Sequence, residues 1–359
     1  MLCPIWGFRF WDPRQSAHGR FVPVEPATPT VGVGTPGYGL KNPRGPITPK
    51  RMGNGQYLML FYNDDGSSGI FPAESRNPYW LTCGVEVEGH GILWSQPEVA
   101  LYDRYNHGKE AGGYPDFIES AETGAIYITE TQKTTARIHK IDESLLGALF
   151  GQHNASALAS HPVAIFGPKS PSVPAPAFAS IYQWTHAGQG FSISLVLAGH
   201  GAARPAEAVL DARNADGAGV AVLVGAGGSI ELHLQDATVA SLNGVYRTDP
   251  LCTAALAAPG DHFVGLVVDA GPMIVSFVVD GLLCDGGHSP KAAGWSWLEP
   301  IRSLQGATTM AVGRCQPGPH CADYAGTVVA GRVYERALYT SDLVGDYRGM
   351  IAGEGCQEC

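Results

Sequence analysis

Charge is scarce in this chain. Only 16% of its 359 residues are Asp, Glu, Lys or Arg, against roughly 25% in an average globular domain. Basic residues are the smaller share: 23 Lys and Arg stand against 33 Asp and Glu, for a net charge of −10. No basic surface is on hand to neutralise a phosphate backbone, so nucleic acid is excluded as a general partner. No apolar run approaches the roughly 20 residues needed to cross a bilayer as a helix, and no membrane span is expected. Long helices are also discouraged, because 47 Gly and 26 Pro are spread along the chain and both residues interrupt helices. The opening MLCPIWGFRFWDPRQ lacks the basic start, apolar stretch and small-residue cleavage site of a signal peptide.

What is present points to a folded, loop-rich, all-β protein. Hydrophobic residues make up 45% of the chain, and its length favours two domains, each able to bury a core. The eight cysteines are concentrated toward the end: Cys252, Cys284, Cys315, Cys321, Cys356 and Cys359. An even number in turn-rich sequence favours disulfides over metal sites, with connectivity left open. Cys315 and Cys321 flank QPGPH, a loop that a local bridge would close. The terminal CQEC has CxxC spacing but no second pair, and reads as a tail with a bridge or free thiols. Export-type composition without an export signal implies a secreted or extracytoplasmic protein whose N-terminus, signal peptide included, is missing from this sequence.

Residues 1–50 hold nine Pro and seven Gly and read as loops and short edge strands. From Tyr57 the pattern is strand-like: YLMLFYN, then PYWLTCGVEV and ILWSQPEVAL as one hairpin, YPDFIES and AIYITETQK as another, and ARIHKI. Strands every 8–12 residues with Gly-rich turns indicate a sandwich, barrel or propeller. Asp142 is positioned to cap a short helix, IDESLLGALFG, by accepting from its first free N–H groups. FGPKSPSVPAP reads as a Pro-stiffened linker. A second run of strands follows, including FSISLVL, GVAVLVG, SIELHLQD, HFVGLVVD, MIVSFVVDG and GTVVAGRVYERAL. SIELHLQD alternates strictly, whereas MIVSFVVDG is apolar on both faces and therefore more deeply buried. Asp280-Gly281 is a turn signal, since Gly supplies positive φ where the chain reverses. Tyr334 and Arg336 alternate with Val333, as on an edge strand over a wet rim. SDLVGDYRGM, with Ser341 as N-cap, reads as a terminal helix.

The motifs FVVDGLLCDGG, GWSWL, MAVG and AGTVVAGRVYERALYTSDLVGDYR resemble the laminin-G/concanavalin A-like jelly-roll domain found on many secreted bacterial carbohydrate-active proteins. The last piece matches at Gly326, Arg332, Tyr334, Arg336, Ala337 and Leu338. The resemblance implies a carbohydrate-binding antiparallel β-sandwich over 177–350. Trp295, with Trp297, reads either as a sugar-stacking platform or as core. A structural Ca²⁺ is common in that family, and the carboxylates available are Asp211, Asp216, Asp269, Asp280, Asp285 and Asp323. None has EF-hand spacing. No metal ligand set and no other cofactor is assigned.

In the first half, GHGILWSQPEVAL and GGYPDFIESAETGAIYITET resemble the closing part of a sialidase-type β-propeller, without the Ser-x-Asp-x-Gly start of its Asp-box repeat. In sialidases a Tyr in such a segment is the nucleophile and a Glu raises its reactivity, which maps to Tyr114 and Glu130. The logic is chemical: an anionic nucleophile would be repelled by a substrate carboxylate beside the reacting carbon, whereas a base-activated Tyr is not. Arginines then hold that carboxylate. Arg76 is the first choice, with Arg44, Arg104 and Arg137 as further candidate contacts and His107 as a candidate general base. Alternation puts Asp116 on the face of Tyr114 and Glu119 on the other. Each also has a plainer reading: Tyr114 as a strand-start aromatic, Arg76 and His107 as solvated loop residues.

The expected organisation is therefore all-β. About three blades of an incomplete propeller occupy 1–165, a linker 166–176, a jelly roll 177–350 and a Cys-containing tail 351–359. A closed sialidase ring needs about six blades, so the expected function is a truncated sialidase-like glycoside hydrolase with an appended carbohydrate-binding domain, acting on a glycan or polysaccharide. The alternatives are a non-catalytic glycan-binding protein, and a polysaccharide lyase in which Tyr114 and His107 abstract a proton.

Overall fold

The structure is a computed structural model that describes residues 47–63, 76–87, 91–103, 113–132, 135–153, 157–176, 178, 189–202, 204–284, 294–318 and 320–351. The described residues form two compact units, one ending at His153 and one beginning at Ala157. Strands dominate both, the sheets are open, and every pairing is antiparallel except one short parallel contact in the second unit.

The first unit begins with β1 (Thr48–Arg51), β2 (Tyr57–Phe61), β3 (Tyr79–Val87), β4 (Gly91–Trp94) and β5 (Glu98–Leu101). They form one sheet in the order β1-β2-β3-β4, with β5 also paired to β3. A second, three-stranded sheet follows: β6 (Asp116–Glu119), β7 (Ile126–Gln132) and β8 (Thr135–Lys140). The expected helix is present as α1 (Glu143–Gly151), and the Asp142 carboxylate accepts from the Ser144 N–H at 2.7 Å. Leu58, Leu60, Tyr62, Tyr79, Leu81 and Cys83 meet Phe117, Ile126 and Ile128 of the smaller sheet, and Leu145 and Leu149 of α1, in one core. Apolar burial of this kind contributes about 1.5–3 kcal/mol for each fully enclosed large side chain.

The second unit is two stacked sheets. One has the order β18-β17-β16-β11-β22-β9, from β9 (Ala164–Phe166), β11 (Gly190–Ala198), β16 (Asp261–Asp269), β17 (Ile274–Val279), β18 (Leu282–Leu283) and β22 (Thr327–Tyr334), with β19 (Ser296–Trp297) paired to β17. The other has the order β10-β20-β12-β13-β14-β15, from β10 (Ser172–Pro174), β12 (Glu207–Asp211), β13 (Gly219–Val224), β14 (Ile230–Gln235), β15 (Asn243–Arg247) and β20 (Thr309–Val312). β21 (Ala322–Asp323) supplies the parallel contact with β12. Ile193, Leu266 and Phe277 of the first sheet and Val222, Leu232 and Met310 of the second share one core. The alternation of SIELHLQD is realised in β14, where Ile230, Leu232 and Leu234 are buried and Glu231, His233 and Gln235 partly exposed. β17 is buried throughout.

Three local expectations change. The Pro-rich stretch read as a linker is not free: β9 lies against β22 and β10 against β20. Pro174 is tolerated in β10 because that strand is at the edge of its sheet, with one open side. β22, read as an edge strand, is interior, lying between β11 and β9. Tyr334 is accordingly enclosed and donates to Asp346 at 2.8 Å. The terminal helix α3 (Thr340–Ile351) starts one residue before the expected cap, and the Asp342 carboxylate accepts the Tyr339 N–H at 3.1 Å. A helix not anticipated, α2 (Pro250–Leu256), has Asp249 as N-cap, accepting from Leu251 and Cys252, and Pro at its first position. Disulfides join Cys252 to Cys284 and Cys315 to Cys321; among the described cysteines Cys83 is free and buried.

Candidate functional site

Of the sequence-derived candidates of the first unit, Tyr114 and Asp116 lie at the start of β6. Two buried phenols, Tyr62 after β2 and Tyr79 at the head of β3, both reach the carbonyl of Gly113, at 3.0 and 2.8 Å, and lie 3.0 Å from each other. Two phenolic protons are thus shared among three oxygens, so neither phenol can ionise without losing a donor from this triangle. Burial first, then Tyr62 and the charge of Glu130, push the Tyr79 hydroxyl well above the usual phenol range, with Arg76 opposing. Tyr79 is therefore a neutral donor.

The next residue is Tyr114. Its N–H donates to Thr131 O at 3.2 Å, extending the β6–β7 ladder, while its side chain is 68% exposed. An exposed aromatic on a backbone held at consecutive residues is pre-positioned rather than merely permitted. Asp116 faces the same way, as alternation predicts, and its carboxylate pairs with Lys50 at 3.4 Å. Glu119 accepts the Gly53 N–H at 2.7 Å.

Glu130 is on the other side of this sheet. The register sets Asp116 opposite Thr129 and Phe117 opposite Ile128, so Glu130 follows the buried face of Phe117 and Ile128, and Tyr114 the open one. Glu130 is 5% exposed, and its Oε1 accepts from Arg137 at 3.0 Å and contacts His139 at 3.2 Å, both on β8. Arg76 is buried as well. Glu130 and Tyr114 thus lie on opposite faces of the sheet, while Arg76 and Glu130 act on the Tyr79 hydroxyl in opposite directions. Arg44, Arg104 and His107 lie outside the described residues.

In the second unit Trp295 is 3% exposed and meets Trp297 edge to face, with centroids 5.9 Å apart. This is the core placement, and it leaves no open face on Trp295 for a sugar ring. Of the carboxylates considered for Ca²⁺, Asp211 is bound by Arg213, Asp280 by His262, and Asp323 accepts from the Cys315 N–H; Asp285 lies outside the described residues. Among the described residues, two groups of three ligand types gather, Asp211 with Cys315 and Cys321, and Asp249 with Cys252 and Cys284. Each consists of one carboxylate and one disulfide, a donor set that does not fit a cation requiring six to eight oxygens.

Arg137 was among the arginines considered from sequence, whereas Tyr62, Tyr79 and His139 were not singled out. Their side chains act through strand pairing between distant segments, and only the aromatic flanks of YLMLFYN and PYWLTCG hinted at them.

No protein family and no curated protein matches this chain. Among solved structures, it is similar to the NanB sialidase from Streptococcus pneumoniae, with 13% identity over 49% of this chain and 27% of that one, at a TM-score of 0.35. It is similar to the Ruminococcus gnavus IT-sialidase CBM40 bound to α2,6 sialyllactose, with 10% identity over 52% of this chain and 100% of that one, at 0.35. The botulinum neurotoxin serotype D ligand binding domain in complex with N-acetylneuraminic acid shows 14% identity over 55% and 45%, at 0.37. This chain thus spans only 27% of the NanB sialidase structure. No described helix is long and apolar enough to cross a membrane.

Proposed function

We propose that this protein is carbohydrate-active, with a sialidase-like glycoside hydrolase portion in the first unit and a glycan-binding, laminin-G-like jelly roll in the second. In this reading the β6–β7–β8 sheet is a propeller blade and Tyr114 is the nucleophile. The observation that carries it is the presentation of Tyr114: an exposed phenol whose preceding carbonyl is gripped by Tyr62 and Tyr79 and whose own N–H is held by Thr131. Holding a reacting group in one geometry lowers the entropy lost at the transition state. Attack by Tyr114 Oη on the anomeric carbon would form the glycosyl-enzyme bond as the phenol proton passes to a carboxylate, Asp116 being the one on the same face, and the aglycone oxygen leaves with a proton from an acid. Two disulfides suit an extracellular setting.

The test is release of phenol from an aryl sialoside by the full chain and by its Tyr114→Phe variant. Turnover that falls at least about a hundredfold in the variant supports the reading; equal turnover in both chains overturns it. A second reading, binding without hydrolysis, is favoured by one feature: Glu130 and Tyr114 lie on opposite faces of the sheet, so this carboxylate cannot serve as the base for that phenol. Retention of the full chain on immobilised sialylated glycans, with no turnover of any aryl glycoside, would establish it.

A further inference from the structure

The two disulfides have unlike surroundings. Cys252 and Cys284 are both enclosed in the core. Cys315 and Cys321 are partly exposed and rest on Ala208, Ala221 and Leu223 at the outer side of β12 and β13. Beside them is a buried ion pair. Arg213 grips Asp211 through Nε at 2.9 Å and Nη2 at 2.8 Å, and the same Nη2 donates to Cys321 Sγ at 3.1 Å. Asp211 Oδ2 is 3.5 Å from that sulfur, and the Asp211 carboxylate is also held by the N–H groups of Arg213 and Gln316. The Asp211–Arg213 pair is close to neutral overall, so it is the N–H donated by Nη2 that distinguishes Cys321 Sγ. The backbone N–H of Cys315 donates to the Asp323 carboxylate at 3.1 Å.

A guanidinium against one sulfur of a disulfide makes that sulfur the better leaving group, because the departing thiolate is stabilised as it forms. We infer that the Cys315–Cys321 bond is a thiol-exchange site, attacked at Cys315 and opened with Cys321 as the leaving thiolate. An external thiolate of a dithiol forms a bond to Cys315 Sγ. The S–S electron pair passes to Cys321 Sγ, where the Arg213 N–H holds it. The second thiolate of the reductant then attacks its own sulfur in the mixed disulfide and releases Cys315 as a thiolate. The two protein sulfurs gain two electrons, and the dithiol becomes a cyclic disulfide. Opening unlinks Cys315 and Cys321, the two side chains that rest on Ala208, Ala221 and Leu223.

The experiment is a dithiothreitol titration of the full chain, with acid quench, alkylation and peptide mass mapping, alongside a short exposure to reduced glutathione. The bond between Cys315 and Cys321 is expected to open at about a tenfold lower reductant ratio than that between Cys252 and Cys284, with glutathione trapped on Cys315. Simultaneous opening of the two bonds, or glutathione on Cys321, overturns the inference. Arg213→Gln should raise the required ratio about tenfold and erase the preference for Cys315; an unchanged midpoint in a folded variant also overturns it. If circular dichroism shows that variant unfolded, the position of the glutathione adduct on the unaltered chain decides the matter.

Discussion

His262 Nδ1 lies 3.0 Å from Asp280 Oδ2, and its Nε2 lies 2.8 Å from the Ala258 carbonyl. Both partners accept, so the ring keeps both hydrogen bonds only as the imidazolium. Burial alone would lower its pKa, but the Ala258 carbonyl and Asp280 outweigh burial, with Asp261 adding to them, and the net shift is upward. The second ordered imidazole nearby behaves oppositely: burial first, opposed by the Gly228 carbonyl and reinforced by the charge of His262, holds His200 below the usual value.

The sign of the pH dependence follows. A histidine raised in the folded state contributes stability that is fully present below its unfolded pKa, near 6.5, and lost as pH rises through the higher folded value. Urea unfolding is expected to give a chain about 1–2 kcal/mol less stable at pH 9 than at pH 6.5 from this group, and His262→Gln should flatten that slope. Equal slopes in the two proteins would remove His262 as its source.

Asp236 works at the acid end. It is buried, and its carboxylate accepts from the N–H and hydroxyl of Thr238 and from the N–H groups of Val239, Arg302 and Ser303. Burial opposes ionisation, but these donors prevail and hold its pKa well below the usual carboxylate range. Its contribution is present above the unfolded value, near 3.9, and is lost as pH falls toward the folded value. Asp236→Ala should cost about 2–4 kcal/mol at neutral pH and blunt the stability loss between pH 4 and pH 2, read by chemical denaturation at each pH.

The phenol pair at Gly113 should be strongly non-additive. With either Tyr62→Phe or Tyr79→Phe, the remaining hydroxyl still satisfies the buried carbonyl, at about 0.5–1.5 kcal/mol per variant. The double variant leaves that carbonyl without these donors, and its loss should exceed the sum of the singles by about 1 kcal/mol. Additive losses would show that the two phenols act independently.

Gly331 faces Phe166 across the β22–β9 pairing, and a Cβ at Gly331 would come within 2.1 Å of the Phe166 ring. Gly331→Ala is expected to cost about 1–3 kcal/mol. Combining it with Phe166→Leu should recover part of that cost in a double-mutant cycle, and a cycle that closes to zero would mean the ring does not press on β22.

Much of this fold is legible because it is local. Asp280-Gly281 turns with φ of 49° and 78°, as a turn dipeptide after a buried strand should. The capping of α1 by Asp142 and the short bridge from Cys315 to Cys321 are equally local. α2 carried a readable signal in Asp249-Pro250, a capping carboxylate followed by the residue best suited to the first helical position. β9 and β10 did not, since three-residue strands are too short to display a period. The candidate site was harder. Alternation correctly set Tyr114 and Asp116 on one face, yet a motif that places Tyr114 before Glu130 carries no information about which face each occupies once β6 and β7 pair. That depends on hairpin register, and the grip of Tyr62 and Tyr79 on Gly113 depends on packing between two sheets.

The short stretch that holds β9 and β10 gives one strand to each layer of the second unit, crossing from one to the other between Phe166 and Ser172. It works as a clasp. A shortened protein beginning at residue 177 would strip a border strand from both layers at once and bare two rows of peptide groups ready to pair with a neighbour. Such a fragment is expected to self-associate more than one starting at Ala157, because trimming this protein at its prolines bares the strand edges that β9 and β10 otherwise cover.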